Sequence, residues 1–248
     1  MKLSIGGAGV ALALMLTGCG EGGNGAAATG NSAGAIAAIP APDGGDWSET
    51  ISATPEGGFI MGNPEAPVKL VEFASLTCHV CQQFDQQGMT PLTEKYIKTG
   101  QVSFELRNYV RDPIDMTAAL LSRCSGATPY FKLTDQIFEN QDKLLQAFQT
   151  LPESEAQRLS AIPADQQFAE LARLGGLIQF VKMRGIPEAK ANACLADKAA
   201  LDQLVSMRNA ADTQYQVAGT PTFLINGKVA ENATAWATLE PQIRAAIG

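Results

Sequence analysis

The 248-residue sequence contains a single histidine, His79, so no site built on several imidazoles can form. Basic residues are also scarce: 18 Lys and Arg stand against 25 Asp and Glu, a formal charge of -7. A nucleic-acid binder needs a basic footprint to displace counterions, and the deficit excludes that class. Long hydrophobic runs are missing too. The apolar stretch from Ile5 to Leu16 is about a dozen residues, short of the roughly 20 that carry a helix across a bilayer. No internal repeat is present. What the chain does have is 46% apolar residues against 17% charged, enough to bury one large core or two small ones without metal staples. Its five cysteines are Cys19, Cys78, Cys81, Cys124 and Cys194, and their spacing holds most of the remaining information.

Met1-Lys2 and the apolar stretch read as a short export signal, and Leu16-Thr17-Gly18-Cys19 resembles a bacterial lipobox. In such signals the cut falls before the cysteine, whose thiol is acylated. We therefore expect residues 1–18 to be a signal peptide and Cys19 to carry lipid, with an ordinary signal peptide and a coincidental cysteine as the alternative. Either reading exports the chain. A lipid anchor would hold it on the periplasmic side of a bacterial membrane. Gly20 follows the anchor, where inner-membrane retention usually shows Asp, which favours the outer membrane. Residues 19–46 are mostly Gly, Ala, Asn and Ser, which cannot bury enough surface to offset their ordering entropy. They are expected to form a flexible tether with a reach of roughly 25–30 Å.

The fold is expected to begin near Trp47. Residues 51–61 read as extended segments broken by the turn Pro55-Glu56-Gly57-Gly58. Val68–Ala74 is a strand that runs into Ser75-Leu76-Thr77 and then Cys78-His79-Val80-Cys81, where a helix starts. Val102–Val110 alternates apolar and polar as a second strand, completing a β-α-β unit over 47–111. Apolar residues then recur at three- and four-residue steps, predicting an all-helical stretch over 112–199. In 200–248 the helical pattern continues to Tyr215. A strand hairpin turning at Asn226-Gly227 and a final helix close the chain.

Cys-x-x-Cys alone is a weak signal. A zinc site wants a second ligand pair, but Cys124 and Cys194 are 70 residues apart and the histidine lies inside the motif, so no metal is expected. Copper delivery fails for the same want of ligands. A purely structural disulfide across so short a loop is strained and gains little closure entropy. Redox chemistry fits better, because the motif follows a strand and opens a helix, where unpaired N–H groups and the helix dipole stabilise a thiolate at Cys78. Cys81, one turn on, should be the more buried, resolving thiol.

Val71-Glu72-Phe73-Ala74-Ser75-Leu76-Thr77-Cys78-His79-Val80-Cys81, followed downstream by Gly219-Thr220-Pro221-Thr222-Phe223, resembles the DsbA-like group of bacterial thiol–disulfide oxidoreductases. From Cys81 to Pro221 is 140 residues, far more than plain thioredoxins place between motif and proline. The resemblance implies an α/β thioredoxin-like fold, a central mixed sheet flanked by helices, with an all-helical domain inserted. It implies that Cys78 is an exposed nucleophile and Cys81 its partner. Thr220-Pro221 would be a cis pair whose backbone binds an extended client segment, and Glu72 a buried carboxylate that exchanges a proton with Cys81. His79 and Val80 depart from the family's usual Cys-Pro-x-Cys, which leaves the oxidising strength open. Val80 offers Cys78 no charge or donor, and His79 either assists as imidazolium or merely faces solvent.

The activity implied is transfer of the Cys78–Cys81 disulfide to client thiols through a mixed disulfide, with no dissociable cofactor. The partners implied are unfolded or partly folded exported proteins with free thiols and a quinone-linked membrane protein that reoxidises the enzyme, which acts as a monomer. Disulfide isomerase or reductase activity and a non-enzymatic peptide-binding holdase are the alternatives. With Cys19 lipidated and the motif pair set aside, Cys124 and Cys194 remain, as a disulfide closing a 70-residue loop or as two free thiols; export favours the bond.

Overall fold

The computed structural model describes residues 35–248. In chain order the elements are β1 (Ile51–Ala53), β2 (Phe59–Met61), β3 (Val68–Ala74), α1 (His79–Leu92), β4 (Val102–Asn108), α2 (Pro113–Arg123), α3 (Tyr130–Glu139), α4 (Gln141–Gln149), α5 (Glu153–Ala161), α6 (Ala164–Leu174), α7 (Leu177–Lys182), α8 (Glu188–Leu195), α9 (Lys198–Gln214), β5 (Thr222–Ile225), β6 (Lys228–Val229) and α10 (Trp236–Ile247). The six strands form one sheet in the order β1-β2-β4-β3-β5-β6. β3 and β4 are parallel, with Glu72 opposite Leu106 and Ala74 opposite Asn108, and every other pairing is antiparallel. This is the expected mixed thioredoxin-like sheet, with α2 to α8 filling the predicted helical insertion between β4 and α9.

The two-residue period of a strand divides the sheet into two buried faces. Leu70 and Ala74 of β3, Phe104 and Leu106 of β4 and Phe223 of β5 join a core that also contains Phe84 of α1 and Leu239 and Ile243 of α10. Val71, Phe73 and Leu224 face the other way, against Tyr109, Val217 and Ala211 of α9. β3 is therefore covered on both sides, as its almost unbroken apolar sequence requires. Glu72 shares the face of Leu70 and Ala74, beneath α1. Phe84 and Phe223 meet with ring centroids 4.5 Å apart, locking α1 over the strand that follows Pro221. Asn226 and Gly227, with φ of 50° and 78°, make the predicted two-residue hairpin.

Two expected boundaries change. The fold begins before Trp47, because the backbone N–H of Ile36 donates to Ile247 O at 2.9 Å and that of Ile39 to Thr99 O at 2.8 Å. The Trp47 indole then donates to Ile39 O at 2.7 Å, and Gln101 reaches the Ile36 carbonyl. Gly100, at φ 72°, makes room for this strap, since a Cβ there would collide with Ile39 O and the indole. The expected tether over 19–46 averaged its composition across Ile36, whose side chain packs against the core, and Ile39, whose backbone finds partners on the body while its side chain stays exposed. The expected signal peptide, the expected lipid site at Cys19 and the expected tether up to residue 34 lie outside the described residues. The expected boundary between residues 199 and 200 falls inside α9, one helix that also packs under Val71 and Phe73.

Cys124, at the C-terminal end of α2, is bonded to Cys194 of α8 with Cα atoms 5.6 Å apart and 70 residues between them, so the bond rather than two free thiols is present. It staples the first helix of the insertion to the last. Replacing both cysteines by alanine should lower unfolding stability by about 2–4 kcal/mol, the scale set by a loop of that length. The check is a urea melt of the oxidised double variant against the wild type.

Candidate active site

β3 ends at Ala74, and the chain makes three residues of loop before Cys78, whose carbonyl accepts the first helical hydrogen bond of α1 from Gln82 N–H at 3.1 Å. Cys78 is the N-cap, with φ -91° and ψ 118° in the extended region, a position usually held by Ser, Thr, Asp or Asn because a side-chain acceptor can meet free N–H groups there. Here the side chain is a thiol that makes no capping hydrogen bond in this form, so the first N–H groups of α1 stay free to meet a thiolate. The cysteines are in the dithiol form.

The environment pulls the two thiols apart. Cys78 is lowered from near 9 to about 5, chiefly by the Cys81 thiol hydrogen-bonding to its sulfur, against a desolvation cost and with further help from Thr220 and the N–H groups of Cys81 and Val80. Cys81 moves the other way, far above the ordinary thiol range, because burial penalises its thiolate and its proton is held by Cys78, with Glu72 adding repulsion. At neutral pH one sulfur is an anion and its neighbour a thiol.

Across from Cys78, Thr220–Pro221 is the only cis peptide bond among the described residues. The Cys78 sulfur lies 3.2 Å from the Thr220 carbonyl oxygen, to which the protonated thiol donates. The Thr220 hydroxyl is buried, finds no other partner, and is placed to donate to the sulfur once it is ionised. The same residue therefore serves both protonation states. One expectation needs correction: Cys78 is not freely exposed, at 5% accessibility, because the cis-proline loop closes over it. Its neighbour Val80 is 40% exposed instead, an apolar rim beside the sulfur.

Glu72 lies 3% exposed under α1, and burial raises its pKa well above the carboxylate range, with Asp85 and Cys78 repelling its charge further. A protonated carboxyl coupled to both cysteines can take up or release a proton as they change state. His79 points outward, 3.1 Å from Gln83, so the structure places it on the surface rather than against the sulfur.

Sequence reasoning missed Asp85. It lies one turn beyond Cys81 on α1, raised by burial and by a hydrogen-bonded contact with Asp135 of α3, and Glu139 adds to the repulsion. Nothing in the sequence near Cys81 signals this, because Asp135 comes from the insertion, 50 residues on.

The profile of the family described as Thioredoxin matches residues 54–245. The chain belongs to the thioredoxin family. A crystal structure of a protein-disulfide isomerase from Novosphingobium aromaticivorans is 32% identical, with a TM-score of 0.73, covering 76% of this chain and 96% of that one. Wolbachia pipientis alpha-DsbA1 is 22% identical, with a TM-score of 0.63 over 79% of this chain and 94% of that one, a likeness of fold that includes the helical insertion. A curated relative from Rickettsia bellii, named "Putative protein-disulfide oxidoreductase", is 25% identical over 71% of this chain, which spans 60% of that relative's length. Within the thioredoxin family the inserted helices mark the DsbA-like architecture.

A pKa of about 5 at Cys78 fixes a pH dependence. The thiolate's contribution to the reduced form is complete above the unfolded thiol's pKa near 9 and is lost as pH falls through about 5. The oxidised form has no such thiolate, so the stability difference between the two should swing toward the oxidised form between pH 8 and 4.5. Paired melts at several pH values check it. Thr220→Val should raise the Cys78 midpoint by roughly 0.5–1 pH unit, one lost hydrogen bond, read by thiolate absorbance.

Proposed function

We propose that this chain is an exported thiol–disulfide oxidoreductase that donates its Cys78–Cys81 disulfide to client proteins. The observation that carries the reading is Cys78 at the N-cap of α1, its sulfur 3.2 Å from the Thr220 carbonyl beside cis Pro221 and its pKa lowered to about 5. A good leaving group makes a disulfide easily broken, and a stabilised thiolate favours the reduced enzyme, which is the property of an oxidant. A thiol lowered from near 9 to about 5 shifts a two-electron couple by on the order of 100 mV, enough to separate thioredoxin-like reductants from oxidants.

In the oxidised enzyme a client thiolate attacks the Cys78 sulfur. The Cys78–Cys81 bond breaks, its electron pair leaves on Cys81, and Cys81 takes a proton for which Glu72 is the nearby source. A second client thiolate then attacks the client sulfur of the mixed disulfide and expels Cys78 as thiolate. The client loses two electrons and gains a disulfide, while the enzyme ends as thiolate plus thiol. Its reoxidation falls to a membrane redox protein that accepts those electrons. The client lies extended along the loop at Thr220-Pro221, held by main-chain hydrogen bonds, with Val80 as an apolar contact. The working form is a monomer, attached through lipid at Cys19 to the periplasmic face of a bacterial membrane, the outer membrane by its Gly20.

A second reading, disulfide isomerase or reductase, is favoured by the name of the 32% identical Novosphingobium structure and by Thr before the cis proline. The reduction potential separates the two. Equilibration of wild type with glutathione buffers should give a value well above thioredoxin's, about -270 mV. A value at or below that overturns the oxidant reading. Cys81→Ala, mixed with a client carrying a disulfide, should accumulate a covalent complex on non-reducing gels, and Cys78→Ala should form none and lose all oxidase activity.

A further inference from the structure

The loop that delivers Cys78, Ser75-Leu76-Thr77, belongs to no helix or strand, yet Leu76 is 1% exposed. Its buried peptide groups must find partners, and they find them on the insertion. Asp115 of α2 accepts the Leu76 N–H at 2.8 Å on Oδ1 and the Arg111 N–H at 3.0 Å on Oδ2. Gln141, the first residue of α4, donates its Nε2 to Leu76 O at 2.9 Å and to Cys78 O at 3.1 Å. Two carbonyl oxygens around one amide nitrogen fix which way the side chain points, since the reverse orientation would oppose three acceptors. Gln141 is 2% exposed and Asp115 1%, so neither has water to fall back on. Arg111 completes the enclosure, with Nε on Ser75 Oγ at 2.8 Å.

We propose that Gln141 and Asp115 are positioning residues for Cys78: by gripping the Leu76 peptide from both sides they hold the N-cap backbone in the setting that aims the Val80 and Cys81 N–H groups at sulfur. The Cys78 side chain makes no capping hydrogen bond in the dithiol form, and those N–H groups can turn to the sulfur on ionisation only while Cys78 keeps its extended N-cap dihedrals. The Cys78 carbonyl is shared by Gln82 N–H, within α1, and Gln141 Nε2, outside it. The insertion thus holds the same residue whose sulfur does the chemistry, and it does so through neutral hydrogen bonds from Gln141. The thiolate is tuned by residues whose hydrogen bonds go to backbone and not to the sulfur.

The inference rests on the oxidoreductase reading, and the test keeps the two apart. Full-length, reduced Gln141→Met removes both donors without changing charge or much volume. Its thiolate absorbance midpoint should rise by roughly 0.5–1 pH unit, and its reduction potential should fall accordingly. Leu144→Ala, a cavity in the same α4 contact, should lose stability with a wild-type midpoint. If Gln141→Met loses stability but titrates with the wild type, the two residues are structural only and the proposal is overturned. Should Gln141→Met not fold, Asp115→Asn decides by sign. Loss of the Asp115 carboxyl's charge can only lower the midpoint or leave it alone, whereas loosening the loop moves it up, so an unchanged or lower midpoint overturns the proposal. A wild type whose own midpoint is that of an ordinary thiol sinks the oxidoreductase reading, and this inference with it.

Discussion

One sulfur is held as an anion and the next, three residues along, is denied ionisation; the architecture around them serves that inequality. The thiol of Cys81 supplies the largest stabilisation of Cys78 and is sealed in the core, so the same contact raises one group and lowers the other. Helix geometry alone would give Cys78 its free N–H groups, as at any N-terminus. The Cys81 proton and the Thr220 hydroxyl aimed at the sulfur are features of this fold. They exist because α1 is clamped over β5 by Phe84 and Phe223, which keeps the helix tip and the cis-proline loop in register.

What could be read from the sequence is what depends on near neighbours. β3, the hairpin at Asn226-Gly227 and the opening of α1 at the first cysteine follow from local pattern and were all expected. At the head of the insertion Asp112 caps α2 by accepting the N–H groups of Ile114 and Asp115, local chemistry that the sequence pattern also carries. Past that cap the legibility ends. Asp115 looks like any acid in a first turn, and nothing in its surroundings says that its carboxylate turns back to the peptide before Cys78. Gln141 is plainer still, a polar residue at the start of a helix. The strap was misread for the opposite reason: its composition is that of a disordered segment, and two isoleucines with backbone partners outweigh it.

The insertion is often the part of such a fold where sequence pattern says least about chemistry, because amphipathic helices look alike. Here three of its residues bear on the redox centre. Asp135 pairs with Asp85 against the underside of α1, while Asp115 and Gln141 meet the loop that precedes it. Burial raises Glu72, Asp85, Asp115 and Asp135 alike, so as pH rises their ionisation opposes folding. A core that tolerates four such acids gives up stability as they ionise, and of the four only Glu72 is coupled directly to the two sulfurs.

The strap at Ile36 also sets a direction. It is fastened beside Thr99–Gln101, where β4 begins, and to the last turn of α10, whereas Cys78 follows the other end of β3, which runs parallel to β4. Seven residues of strand, about 23 Å, lie between those poles. The strap's backbone hydrogen bonds therefore brace the pole of the sheet remote from Cys78 and its contact with Thr220.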